Sequence, residues 1–331
     1  IVWSRRVASL IRDVTLDDEG VVKKLAYIFP GQGSQRVGMG RDFWERSPLA
    51  RELFARADAA LGFQISEICF AGPEDRLKLT SYTQPALLTV STIAFQLLGV
   101  EPGLSAGHSL GEYSALVAAG SLTFEDALGV VQKRGRYMQE AVPVGVGAMA
   151  AILGAAIPAI ESALGRVKSG TVQIANWNSD DQVVIAGHKP AVEEAIALIP
   201  GARAVMLPVS APFHSALMKG AEERLSKDLD SIPFRDLRFP VVTNVDARII
   251  HSGEEARDAL KRQVSRPVLW QSSMHAFNRE GVDAVVEVGP GKVLVGLLKR
   301  IGRQWTAPPR LFNVEDGESL QKCREALSGT A

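Results

Sequence analysis

With 331 residues, the chain is long for one compact core and short for three, so one large domain with an insert, or two domains, is the starting expectation. Apolar residues make up 46% and charged residues 22%, as in an ordinary globular protein, which excludes a disordered or fibrous chain. Lys plus Arg is 37 and Asp plus Glu is 37, so there is no net positive field for bulk nucleic-acid binding.

Residues 1–24 mix Arg5, Arg6 and Arg12 with Asp13, Asp17, Asp18 and Glu19. They lack the apolar stretch of a signal peptide and predict an added helix or arm without chemistry. The apolar run at 25–29 stops at Pro30-Gly31 and predicts a buried strand followed by a tight turn at 31–35. Helices are expected at 47–61 and 82–98, a short strand at 103–106, a helix at 110–119 closed by Gly120, and an amphipathic helix at 123–141 with Thr123 as its cap.

After the Gly/Pro-rich joint at 143–147 the texture changes. Strands are predicted at 148–153, 172–176, 182–186 and 204–208, with helices at 157–167 and 190–199. That order is the βαββαβ pattern of a ferredoxin-like unit. From position 210 long helices return (216–229, 254–264, 271–280), alternating with apolar runs at 239–244 and 284–288. A last strand or loop is expected at 311–316 and a terminal helix at 319–327. The fold class is therefore α/β: a large subdomain with a parallel sheet, in two parts at 25–145 and 210–316, and an inserted small subdomain at 146–209. Residues 317–331 form a helical tail.

Cys69 and Cys323 are too few for a disulfide framework and offer no CxxC metal motif. No apolar run approaches the ~20 residues that span a bilayer. A cytoplasmic protein with no membrane partner, no nucleic-acid partner and no bound metal is expected.

Gly107-His108-Ser109-Leu110-Gly111 fits the G-x-S-x-G elbow between a strand and a helix. Glycines two positions to either side remove side chains that would clash in so sharp a reversal. The hydroxyl of Ser109 is then presented at a helix N-terminus, whose free N–H groups can hold an oxyanion, Leu110 N–H first. The plain alternative is that Ser109 merely caps the helix. A serine nucleophile needs a base, and His188, His214, His251 and His275 follow it. Position favours His214, because the segment 209–215 leaves the small unit and enters a helix, where a cleft is expected.

On the helical wheel of 123–141, Arg134 falls among Phe124, Ala127, Val130, Val131, Met138 and Ala141. A guanidinium on a buried face must meet an anion, reach solvent or be hydrated in a cleft. Either a protein carboxylate or a substrate carboxylate satisfies that demand. Gly145-Val-Gly-Ala-Met-Ala150 has the letters of a dinucleotide motif but precedes its strand; Gly31–Gln35 lacks a P-loop ending; Gly289-Pro-Gly-Lys292 reads as a strand-to-helix turn.

These blocks together resemble the malonyl-CoA:acyl-carrier-protein transacylases and the related acyltransferase domains of polyketide synthases. Phe29–Gln35, Gly107–Glu112 and Arg134–Glu140 carry the likeness, with Asn176–Ser179, Phe213-His214, Val241–Asp246, Arg262–Val268 and Glu287–Lys292. The resemblance implies that Ser109 is acylated, that His214 is the general base, and that the main-chain carbonyl of Gln263 orients the histidine. It implies an oxyanion hole from the N–H groups of Gln32 and Leu110, and a malonyl carboxylate held by Arg134. His108, Asn176 and Phe213 match cleft-lining positions, Phe213 restricting an α-methyl group. The large subdomain would resemble an α/β-hydrolase core. The implied substrate is malonyl-CoA, with no cofactor bound by the enzyme. The implied partner is an acyl carrier protein bearing phosphopantetheine, and the enzyme itself is expected to be a monomer in fatty acid or polyketide synthesis. A thioesterase with the same elbow would place its histidine late, nominating His275, and a non-catalytic carrier-binding scaffold is the third class.

Overall fold

The computed structural model of the chain describes residues 22–209 and 211–328, so the arm expected at 1–24 lies, up to position 21, outside the described residues. In chain order the strands are β1 (Leu25–Phe29), β2 (Leu104–Gly107), β3 (Gly147–Leu153), β4 (Val172–Ser179), β5 (Gln182–His188), β6 (Arg203–Met206), β7 (Val241–Val242), β8 (Ile249–Ile250), β9 (Ala284–Val288) and β10 (Arg310–Val314).

They form a six-stranded sheet in the order β10-β9-β1-β2-β7-β8 and a four-stranded sheet in the order β4-β5-β3-β6. In the larger sheet every pairing from β10 to β7 is parallel, and β8 closes the edge antiparallel. Central β1 is apolar throughout because helices cover both of its faces. Tyr27 and Phe29 point into a core shared with helices Thr80–Leu98 and Leu110–Ala118. Ala26 and Ile28 point to the opposite core with Trp270, Met274 and Leu298. The parallel sheet covered on both sides, expected from the alternation of runs and helices, is present.

The smaller sheet is antiparallel throughout. Its period-two alternation divides two cores. Ala148, Ala150 and Ile152 of β3, with Val183 and Ile185 of β5, pack on helices Ile157–Leu164 and Lys189–Leu198. Met149, Ala151, Val184 and Ala186 face the main core. The sheet thus turns its second face toward the core of the six-stranded sheet, and a cleft is left where they meet.

The structure adds elements that the sequence pattern does not reveal. Helices Arg41–Arg46, Ile65–Ala71 and Glu74–Lys78 are one or two turns long, too short for a 3.6-residue period to emerge. Of the apolar run at 239–244, only Val241–Val242 joins the sheet, because the chain turns at once and Ile249–Ile250 returns beside it. Helix Val293–Ile301 follows the Gly289–Lys292 turn. No helix among the described residues is long and apolar enough to cross a membrane.

Candidate active site

β1 and β2 run side by side, Phe29 opposite Gly107, and their carboxyl ends open onto one cavity of about 300 Å³. At Ser109 the chain reverses with φ 52 and ψ −104. A non-glycine residue held there stores of order 1–3 kcal/mol of backbone strain. The reversal is possible only with glycine on both sides. A Cβ at Gly107 would lie 1.8 Å from the Gly111 carbonyl carbon, and one at Gly111 would lie 2.0 Å from the Phe29 carbonyl oxygen. Ser109 gives its helix no side-chain cap. Its hydroxyl points elsewhere.

That direction is His214. Ser109 Oγ lies 2.7 Å from His214 Nε2, and His214 Nδ1 lies 2.9 Å from the Gln263 carbonyl oxygen. A carbonyl only accepts, so Nδ1 carries the hydrogen and Nε2 offers its lone pair to the serine hydroxyl. The histidine also adopts a left-handed backbone, φ 56, at the point where the chain leaves the small sheet. Burial, together with the charge of Arg134, drives the His214 pKa down to about 3, against the pull of its bond to Gln263. The imidazole is neutral at physiological pH and able to accept a proton.

Arg134 is 1% exposed. Its Nη1 donates to Gln84 Oε1 at 2.9 Å; its Nη2 donates to Gln263 Oε1 at 2.8 Å and to Ser109 Oγ at 3.1 Å. Its Nε–H has no partner, and the guanidinium stands 5.4 Å from the centre of the Tyr113 ring. Among the described residues it forms no ion pair, so its hydrogen-bond partners are neutral. The buried carboxyl whose charge bears on it is Glu112, whose own pKa burial raises to about 7. Of the alternatives open to a guanidinium on a buried face, a protein salt bridge is therefore not the one realised. The cation waits beside the hydroxyl.

The remaining expected residues converge on the same cavity: Gln32, His108, Leu110, Asn176 and Phe213 all line it. Leu110 is the first helical residue, where no intrahelical acceptor exists for its N–H. Gln32 comes from the turn after β1, its side chain 3.4 Å from Thr80 Oγ1. His108 Nε2 is 3.0 Å from Asn178 Oδ1, a bond that ties the elbow to the small sheet. Asn176 makes a parallel bridge to Val268, tying the sheet back again. The other histidines lie apart: His275 against Trp305, His188 accepting from Thr171 N–H, His251 on the surface. Sequence reasoning missed Gln84, Glu112 and Asn244. The signal was present for Glu112, the one charged residue of its helix, and weaker for Gln84, which shares its helix with several serines and threonines.

A serine on a strained elbow, hydrogen-bonded to a neutral histidine and flanked by a helix N-terminus, has the groups that serine acyl transfer needs. Comparison with known proteins narrows it. The family model described as "Acyl transferase domain" matches residues 26–322. The malonyl CoA-acyl carrier protein transacylase of Escherichia coli (strain K12) is 48% identical over 292 residues, covering 86% of this chain and 94% of that protein. The solved malonyl CoA-acyl carrier protein transacylase of Coxiella burnetii superposes with a TM-score of 0.89 at 40% identity, over 94% of this chain and 99% of its own. A malonyl-transacylase solved in complex with a type II polyketide acyl carrier protein gives 0.87 at 43% identity, over 92% and 99%. The chain belongs to the acyl transferase domain family, with the malonyl CoA-acyl carrier protein transacylases.

Proposed function

We propose that this enzyme moves a malonyl group from malonyl-CoA to the phosphopantetheine thiol of an acyl carrier protein through an ester on Ser109. In the first half, Ser109 Oγ attacks the thioester carbonyl while His214 Nε2 takes the hydroxyl proton. The oxyanion forms against the N–H groups of Leu110 and Gln32. Collapse breaks the C–S bond, and the imidazolium returns its proton to the departing CoA sulfur. In the second half the carrier's thiol attacks the ester carbonyl and gives its proton to His214; the ester C–O bond breaks and the imidazolium returns the proton to Ser109 Oγ. No resident cofactor is needed.

The observation that carries this reading is Arg134, a buried cation with no ion-pair partner among the described residues and 3.1 Å from Ser109 Oγ. One methylene separates the ester carbonyl of a malonyl group from its free carboxylate. A cation that recognises this carboxylate must therefore stand next to the nucleophile, and the planar fork suits it. Docking of the carboxylate also offsets the Arg134 charge, which adds to the larger effect of burial in holding the His214 pKa down.

The same reading assigns residues 25–145 and 210–316 to an α/β-hydrolase-like large subdomain, supported by the parallel order around β1 and the elbow after β2. Residues 146–209 form a ferredoxin-like small subdomain, supported by the antiparallel order β4-β5-β3-β6 and two helices on one face. Phe213 beside the histidine narrows the room for an α-methyl group. The setting is the cytoplasm, in fatty acid synthesis.

Intact mass after incubation with malonyl-CoA tests the proposal. The wild-type chain should gain one malonyl group, Ser109→Ala should gain none, and added holo carrier protein should discharge the adduct. Free malonate appearing as fast as loaded carrier would make the protein a thioesterase. No adduct on the wild type would end the reading altogether.

A further inference from the structure

The stretch Val241–Asp246 contributes to the family likeness, yet no chemistry is attached to it. Its centre, Asn244, is fully buried behind the elbow. β7 pairs with β2 only as far as Val242 opposite Ala106. Two residues later the side chain of Asn244 takes over where the backbone ladder stops. Its Nδ2 donates to the Gly107 carbonyl at 2.7 Å, and its Oδ1 accepts from the Ser109 N–H at 2.7 Å. The amide thus stands in for a peptide unit and grips the chain on both sides of His108.

The grip is itself anchored. Asn244 N–H donates to Glu112 Oε2 at 3.1 Å, and Leu269 N–H donates to the Asn244 carbonyl at 2.9 Å. Glu112 Oε2 also accepts from Gln263 Nε2 at 2.7 Å, and that same nitrogen lies 2.9 Å from the Ser109 carbonyl oxygen. The peptide groups flanking Ser109 are therefore tied to Asn244 and Gln263, and both of these are tied to Glu112. A left-handed serine persists only where its surroundings over-determine it. Because Asn244 occupies the Ser109 N–H, that group is withheld from the cavity, and Leu110 N–H is left as the elbow's donor to a developing oxyanion.

We infer that Asn244 is a positioning residue for acyl transfer: its side-chain amide fixes the peptide units on either side of His108 and so aims Ser109 Oγ at His214 Nε2. The inference rests on the reading of Ser109 as the acylated residue. It adds no contact to substrate, so its loss acts on the rate of ester formation and not on malonyl-CoA binding.

The test is rapid-quench acylation by malonyl-CoA, scored by intact mass, on the wild type, Asn244→Ala and Asn244→Asp. Circular dichroism fixes a temperature at which each variant is folded. Asn244→Ala should acylate about 100-fold more slowly, the cost of misplacing a reacting atom by about an ångström, with KM for malonyl-CoA within about threefold of wild type. Asn244→Asp keeps the shape and the acceptor for Ser109 N–H but loses the donor to Gly107. It should fall in between, about 10-fold slower. Folded variants that acylate at the wild-type rate, even with a lower melting temperature, would reduce Asn244 to a purely structural residue and overturn the inference. A raised KM with unchanged rate would overturn it too. A wild type that forms no adduct would instead sink the reading of Ser109.

Discussion

Two neighbouring turns of the larger sheet are built alike and used in opposite ways. β2 ends in Gly107, bends at Ser109 and enters helix Leu110–Ala118; β9 passes Gly289-Pro-Gly291 and enters helix Val293–Ile301, with only β1 between them. At the β9 turn the strand itself supplies Glu287, fully buried, whose two carboxyl oxygens accept from Leu294 N–H at 3.2 Å and Val295 N–H at 2.8 Å. The spare donors of that helix are consumed. At the β2 turn the cap residue turns its hydroxyl toward His214 and leaves the first helical N–H to the cavity. A strand, glycines and a helix make a helix terminus; what the protein places against its donors decides whether it is closed by its own strand or left open to a cavity.

The largest expected difference between the two turns comes from the charge beside one of them. Arg134→Ala should lower kcat/KM for malonyl-CoA by roughly 30- to 5,000-fold, the 2–5 kcal/mol range for removing one partner of a buried charge pair. Loading from acetyl-CoA should fall far less. An unchanged malonyl-to-acetyl ratio would return Arg134 to a packing role and erase the contrast.

Acid titration sharpens the same contrast. Burial and Arg134 both disfavour the imidazolium of His214, so its pKa lies near 3 and not near 6.5. The kcat/KM profile of the wild type should stay flat from pH 8 through the ordinary histidine range and decline only toward the most acid conditions the fold tolerates. In Arg134→Ala, measured with acetyl-CoA, the acid limb should move to higher pH. A wild-type limb centred near 6.5 would contradict the geometry.

The smallest effect on turnover belongs to the β9 turn. Glu287→Ala leaves the buried Leu294 N–H and the half-buried Val295 N–H without their partner, a cost of roughly 1–3 kcal/mol in denaturant unfolding, while kcat should change by less than about threefold. Burial raises the Glu287 pKa to about 7, against the bonds from Val295 and Leu294 N–H. Between pH 4.5 and 7 the folded state therefore binds more protons than the unfolded one. The contribution of Glu287 is complete below pH 4.5 and fades as pH rises through 7, so the penalty of the substitution should be larger at pH 5 than at pH 8. A penalty that grows with pH would mean that the carboxylate form is the one its helix needs.

Much of this was legible in one dimension. The elbow is written in five contiguous residues because the clash that demands its glycines is local in sequence, at least between Gly107 and Gly111. Arg134 was legible because a cation among Phe124, Val130, Val131 and Met138 violates the 3.6-residue pattern. Asn244 was not, since it bonds to Ser109 across 135 positions and an asparagine after a short apolar run reads as an ordinary turn. Gln84 was passed over for a related reason. One amide in a buried helix gives no hint that its partner is Arg134, 50 positions away.

The amino-acid order by itself determined the alternation of strands and helices, the place of the small antiparallel unit, the sharp bend at Ser109 and the presence of a misplaced cation. These follow from side-chain periodicity and backbone sterics, which act over a few residues. Only the tertiary structure decided that His214 rather than His275 meets the hydroxyl, that Gln263 offers its carbonyl to one partner and its amide to another, and that Arg134 has no counter-ion among the described residues. Hydrogen bonds and charge pairing are satisfied through space at about 3 Å, and the parallel crossovers of the sheet determine which distant residues come that close.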